Sequence, residues 1–137
     1  MDLSIIIVNY NVKEFLQNLI HSIEKASSNL TKEIIIIDNA SDDGSVDFIR
    51  EKFPLIKLIA NQKNLGFGKA NNIGLKEAQG KYILLINPDI IVAEDTFEKM
   101  IKLFCATSIS RLQNHNHIAV SWREPQALLI AQLLAFY

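Results

Sequence analysis

A chain of 137 residues, 49% hydrophobic and 21% charged, has room for one domain with a real core and is too apolar to be disordered. Its formal net charge of −1 provides no basic field, which argues against nucleic acid as a partner. The single cysteine, Cys105, excludes an internal disulfide and suits a reducing compartment.

The first apolar run, Ser4-Ile-Ile-Ile-Val8, comes after Asp2 and not after a basic segment, so it reads as a strand and not as a secretory signal. It leads directly into Asn9-Tyr10-Asn11. Asn11, with Glu14 three residues on, predicts a helix N-cap, and Phe15, Leu16, Leu19, Ile20 and Ile23 then trace one apolar helix face. Glu33-Ile-Ile-Ile-Ile37 is the second strand, followed at once by Asp38-Asn39-Ala40-Ser41-Asp42. A helix over about 45–53 turns Val46, Ile49 and Phe53 inward and stops at Pro54. The third run, 56–60, leads into Asn61 and the loop Asn64-Leu65-Gly66-Phe67-Gly68. The next helix is expected over about 68–78, opened by Asn71 and Asn72 and stopped by Gly80, with Gly74 allowing close packing on the sheet. Tyr82-Ile-Leu-Leu-Ile86 is the fourth strand and ends in Asn87-Pro88-Asp89. Glu94 and Asp95 then mark the start of a helix carrying Phe97, Met100, Ile101 and Phe104.

Unbroken Ile, Leu and Val runs indicate strands covered on both faces. Their alternation with helices predicts right-handed crossovers in an α/β fold, a mostly parallel twisted sheet with helices on both faces. This pattern occupies residues 1–104. Beyond Phe104 the periodicity loosens, and a mostly apolar helical segment is expected after Pro125. Leu128, Leu129, Leu133 and Leu134 there are too apolar to be left in water, which suggests a homo-oligomer formed through this segment. The run 127–137 is interrupted by Gln132 and is too short to span a bilayer. Residues 105–137 read as a divergent tail, a truncated or frame-shifted second half.

Ligands of open parallel sheets bind beyond the carboxyl ends of the strands, so the four polar clusters are expected to form one site. Asp38 could accept hydrogen bonds from a base N–H or ribose hydroxyls; the plainer reading is a turn that caps the next helix, which suits Ser41 and Asp43 better. A calcium loop on this stretch fails, because its twelfth position is Arg50 and not the bidentate Glu the ion needs. Gly66 and Gly68 would let backbone N–H groups approach a phosphate, although Asn71 stands where a dinucleotide fingerprint has its third glycine. Asp89 offers a hard oxygen for Mg²⁺ or Mn²⁺, the alternative being a proline turn with a capping Asp. His115 and His117 make an incomplete metal set, His21 is expected at the surface, and Trp122 in partial burial. A nicotinamide dehydrogenase, with Gly66-x-Gly68 after a strand, and a non-catalytic nucleotide-sugar-binding or oligomerising module both stay open.

Taken in order, the segments at 4–11, 37–45, 64–74 and 82–89 resemble family 2 glycosyltransferases of the rhamnosyltransferase-like branch, over roughly residues 3–104. The resemblance implies a GT-A fold and a nucleoside-diphosphate sugar donor. It further implies inverting transfer to a carbohydrate or lipid-linked acceptor in cell-wall or polysaccharide biosynthesis. Asp38 then matches the acid that binds base and ribose, and the segment from Gly66 to Asn71 matches the donor loop. Asp89 matches the last acid of a metal-binding Asp-x-Asp whose first position is Asn87 here. The implied donor-binding set is Asn9, Tyr10, Asn11, Asp38, Asn39, Asn64, Gly66, Gly68, Asn71 and Asn87, with Asp89 on Mg²⁺ or Mn²⁺. No general base is identified, and Glu124, the one acid beyond Glu98, has nothing to recommend it. The expected location is the cytoplasm, or the periphery of the membrane's inner face.

Overall fold

The computed structural model describes residues 1–27, 29–107, 118–123 and 126–131. Four strands, β1 (Leu3–Asn9), β2 (Lys32–Asp38), β3 (Lys57–Ala60) and β4 (Tyr82–Ile86), form a parallel sheet in the order β3-β2-β1-β4. Between them run α1 (Lys13–Ala26), α2 (Ser45–Lys52) and α3 (Phe67–Glu77), with α4 (Thr96–Thr107) following β4.

The unbroken apolar runs do split between two faces, as their composition requires. Ile5 and Ile7 of β1 join Ile34, Ile36, Leu84 and Ile86 beneath α1, α2 and α4, where Leu16, Leu19, Ile20, Ile23, Ile49 and Phe97 pack. Ile6 and Val8 join Ile35, Ile37, Ile83 and Leu85 on the other face, beneath Ala70 and Ile73 of α3. Right-handed crossovers dictate this division. The chain steps outward from β1 to β2 to β3 with α1 and α2 on one face. It then returns across β1 to β4, which puts α3 on the opposite face. The strand order therefore reverses between β1 and β4, and the crevice at that reversal opens at the carboxyl ends of both strands.

Two glycines permit the packing of α3 and β4. A Cβ on Gly74 would lie 2.5 Å from Ile6 Cγ2, so only glycine lets α3 sit this close to β1. A Cβ on Gly80 would lie 2.5 Å from the Ser4 backbone nitrogen. Gly80, expected as the stop of α3, is thus a close-approach residue; α3 ends earlier, at Glu77, through Ala78 in an extended conformation. The Gly80 N–H donates to Ser4 Oγ (2.7 Å), and Ser4 Oγ donates to Glu33 Oε1 (2.5 Å), pinning the turn before β4 to β1 and β2.

Three further expectations need correction. Asn11 does not cap α1, which begins at Lys13; Asn11 takes φ +55° and turns its side chain to another loop. Asn71 and Asn72 lie in the second turn of α3, because the helix already starts at Phe67. The described part of the apolar segment after Pro125 is not helical, and Leu133 and Leu134 lie outside the described residues. Gln126–Ala131 (β6) pairs antiparallel with Ile118–Arg123 (β5), and β6 runs beside β4. Repeated Leu, Ile and Ala suit either state, and proximity to the buried edge strand β4 selects the extended one. His115 and His117 lie outside the described residues.

Asp43 caps the next helix, as its turn position suggested, and also takes the place at α1 expected of Asn11. Its Oδ2 accepts the Lys13 N–H at the start of α1 (2.9 Å), and its Oδ1 accepts the Ser45 N–H at the start of α2 (3.0 Å) and the Ser45 hydroxyl. Burial pushes its pKa up, but the Ser45 hydroxyl and the two N–H donors outweigh this and hold it below the ordinary 3.8. Replacing Asp43 with Ala is expected to cost about 2 kcal/mol, since two helix starts lose a cap together. Because the folded pKa is the lower one, this stabilisation is present above the unfolded value and disappears as pH falls through the folded value. Urea titrations of wild type and Asp43→Ala from pH 7 down to pH 3 check both points: the gap between the two curves should narrow as the pH falls.

Candidate functional site at the carboxyl edge of the sheet

Parallel pairing places the last residues of all four strands on one edge. Asn9 is opposite Asp38 in the β1–β2 register, Asp38 is opposite Ala60, and Ile7 is opposite Ile86, just before Asn87. The polar clusters at 9–11, 38–42, 61–68 and 87–89 therefore gather at the same rim, around the reversal between β1 and β4.

The first layer is buried and hydrogen-bonded internally. Asp38 is 1% exposed. Its Oδ1 accepts from Asn9 Nδ2 (2.7 Å) and from the Ser41 hydroxyl (2.6 Å), and its Oδ2 accepts from the Ser41 N–H (2.9 Å). These donors compensate the desolvation of a buried carboxylate, which would otherwise be costly. Asn9 is also fully buried, and its Oδ1 is a side-chain acceptor with no partner among the described residues. Asn39 donates its N–H to the Asn9 carbonyl (2.8 Å), and its Oδ1 accepts from Asn61 Nδ2 (3.0 Å).

The β1–α1 and β2–α2 loops are cross-linked in the same way. Ser41 Oγ accepts the Asn11 N–H (3.0 Å), and Asn11 Oδ1 accepts the Asp42 N–H (2.9 Å). Both loops hold left-handed backbone, at Asn11 and at Ala40 (φ +67°). Asn tolerates that region; Ala enters it at a cost of about 1 kcal/mol, sustained here by the bonds on either side. Tyr10, between Asn9 and Asn11, is half exposed and rides on this clamped turn. Beside it an open groove of about 460 Å³ runs between α1 and α2, lined by Asn11, Lys13, Glu14, Gln17, Asp43 and Phe48. Lys13 Nζ lies 5.5 Å over the Phe48 ring. Its one ammonium faces two carboxylates, so the groove carries no field of a single sign.

The glycine loop supplies the third side. Gly66 adopts φ +80° and ψ 160°, a region essentially closed to other residues, and its N–H donates to Asn64 Oδ1 (2.8 Å). α3 then begins without a side-chain cap or an acid in its first turn, which leaves its leading N–H groups facing the rim. Asn71 Nδ2 donates to the Phe67 carbonyl (3.1 Å), so this buried side chain braces the first turn of α3. Gly68 has open space around it, and Lys69 is exposed.

At β4 the chain leaves the sheet through Asn87-Pro88-Asp89, with Asp89 exposed. Among the described residues no three His, Cys, Asp or Glu side chains converge. A closed protein cage for a cation is therefore not formed there. One accessible carboxylate at this rim is the donor type that Mg²⁺ or Mn²⁺ takes when held jointly with substrate oxygens, the usual mode for such ions.

Sequence reasoning placed Ser41 and Asp43 in a turn that caps α2, which they do form, but missed their bonds to the β1–α1 loop. Their hydrogen-bonding capacity was visible, but their partners lie about thirty residues away in the chain.

The sequence matches the model of Glycosyl transferase family 2 over residues 4–127. The chain belongs to that family. Its family 2 relatives include the minor teichoic acid biosynthesis protein GgaB of Bacillus subtilis strain 168. That protein is 35% identical over 107 residues, which cover 75% of this chain and 12% of GgaB. An uncharacterized glycosyltransferase of Haemophilus influenzae is 34% identical over 117 residues, 82% of this chain and 43% of its own length. Among solved structures, S. aureus TarS 1-349 in complex with UDP superposes with a TM-score of 0.69 at 23% identity, over 79% of this chain and 33% of the TarS 1-349 chain. The mannosyltransferase PcManGT from Pyrobaculum calidifontis, in complex with GDP-Man and Mn²⁺, gives 0.66 at 24% identity, over 73% and 31%. These two establish the GT-A fold. The chain spans less than half the length of each of these four proteins. The match reaches residue 127, beyond the expected resemblance over 3–104, and so takes in β5 and the start of β6. Family 2 membership sets the nicotinamide reading aside. No helix among the described residues is long and apolar enough to cross a membrane.

Proposed function

We propose that this family 2 chain forms the donor-binding part of a glycosyltransferase. It would take a sugar from a nucleoside-diphosphate sugar and pass it, with inversion, to a carbohydrate or lipid-linked acceptor. The observation carrying the reading is the gathering of four polar strand ends at one sheet edge, around the β1–β4 reversal. The UDP and GDP-Man complexes of two proteins with this fold support a nucleotide there.

In this reading Tyr10 and the layer of Asn9, Asn11 and Asp38 face the nucleoside, and Asn39 belongs to that layer as a buried support. The loop of Asn64, Gly66 and Gly68, with the open start of α3 braced by Asn71, faces the diphosphate. Asn87 and Asp89 border the sugar end, and Asp89 supplies the protein oxygen for Mg²⁺ or Mn²⁺. When bound, the ion neutralises charge growing on the departing diphosphate. The reaction is a displacement at the anomeric carbon. The acceptor oxygen forms its bond as the bond to the diphosphate breaks, and a base takes the acceptor proton. Among the described residues no carboxylate is assigned that role, and Glu124 lies outside them.

The single acid in Asn87-Pro88-Asp89 supports placement in the rhamnosyltransferase-like branch. The teichoic acid name of GgaB supports a cell-wall polymer as the product, made at the cytoplasmic face of the membrane. The boundary at residue 104 stays as a division between the donor-binding part and a tail that could also mediate self-association. Titration calorimetry of the chain with UDP, dTDP and GDP in the presence of Mn²⁺ tests the reading: one of the three should bind in the micromolar range, and binding of none of them would overturn it. A non-catalytic donor-binding module would give the same binding without sugar transfer to any acceptor.

A further inference from the structure

We propose that Asn39 is a positioning residue for the glycine loop, acting on a bound donor through Leu65 and Gly66 and not by contact. The proposal rests on the donor-binding reading above. Asn39 is 2% exposed and ties together three separate segments. Its N–H is held by the Asn9 carbonyl (2.8 Å), and its Oδ1 accepts both Asn61 Nδ2 (3.0 Å) and the Leu65 N–H (3.4 Å).

That single oxygen links the strand-end layer to the loop. Leu65 directly precedes Gly66, whose glycine-only backbone and bond to Asn64 turn the chain into α3. The position of the uncapped first turn of α3 relative to Asp38 therefore depends on where Asn39 holds Leu65. A buried amide oxygen that lost these donors would be left unsatisfied, so the loop and the strand layer move as one unit. Nucleoside and diphosphate contacts must be spaced to fit one ligand, and Asn39 sets the spacing between them.

The test compares wild type, Asn39→Ala and Asn39→Asp, because the Asp carboxylate can accept the same two hydrogen bonds. Two readouts are taken well below the unfolding transition: hydrogen exchange at the Leu65 and Gly66 amides, and calorimetric affinity for UDP, dTDP and GDP with Mn²⁺. Asn39→Ala is expected to speed Leu65 exchange and weaken nucleotide binding about tenfold, and Asn39→Asp to restore both. Unchanged Leu65 exchange in Asn39→Ala overturns the proposal. So does lost affinity with protection intact, which would mean direct contact. A fall in Tm with unchanged affinity reduces Asn39 to a structural residue and likewise overturns it. If the wild type binds no nucleotide, the donor reading fails separately, while the exchange data still decide whether Asn39 holds the loop.

Discussion

Gly80→Ala is expected to destabilise the chain by about 3 kcal/mol, lowering Tm by about 10 °C. The new methyl group would lie 2.5 Å from the Ser4 nitrogen, 2.7 Å from the Leu3 carbonyl carbon and 2.7 Å from Ser4 Oγ. Two of these are backbone atoms of β1, the strand at the heart of the sheet, hydrogen-bonded on both sides to β2 and β4. They cannot move without breaking ladder bonds. The substitution also displaces the Gly80 N–H from Ser4 Oγ and so loosens Glu33, which holds the Gln79 N–H as well (2.7 Å). Gly68→Ala is the control. Nothing lies within 4 Å of its added Cβ, and alanine is the better helix former, so stability should rise by about 0.5–1 kcal/mol. Thermal melts of the two variants beside wild type suffice; a Gly80→Ala melt within 2 °C of wild type, or an equal loss in both, would remove the close-packing account.

Asp89→Ala is expected to reduce Mn²⁺-dependent nucleotide affinity by about 100-fold while changing stability by less than about 0.5 kcal/mol. Asp89 is exposed and follows Pro88 at the end of β4, and no hydrogen bond or ion pair joins its side chain to another of the described residues. Because no second or third acid converges with it among the described residues, the loss is not shared out, and no neighbour substitutes. Nucleotide binding measured in EDTA should be similar in wild type and variant, since the contacts of the strand-end layer and the glycine loop remain. Calorimetry with and without Mn²⁺ separates the two contributions. Equal Mn²⁺-supported binding in both proteins would show that the cation is not held by Asp89.

Much of the architecture was legible from composition alone. The four apolar runs became β1 to β4, and each polar cluster sits where its strand stops. Leu16, Leu19, Ile20 and Ile23 pack inward as their spacing predicted, whereas Phe15, expected on the same face, is 41% exposed. Gly74 allows the close approach of α3 expected of it, against Ile6. Where local reading failed, the residue had two good options. Asn11 had the credentials of an N-cap but bonds the Asp42 N–H across the rim, while Asp43 reaches back to cap α1. Gly80 had the credentials of a helix stop, and instead faces the backbone of β1. The apolar stretch after Pro125 suited helix or strand, and β4 decided between them.

Residue order by itself determined the elements, their alternation and the parallel sheet they must form, because burial periodicity and chain chirality act over short stretches. The folded arrangement alone decided the partners: Asp38 with Asn9 and Ser41, Asp43 with Lys13, Asn39 with Leu65. All but one of these pairs join segments a full strand–helix unit apart. A hydrogen bond needs its donor and acceptor within about 3 Å, and only the completed crossovers bring such distant groups that close.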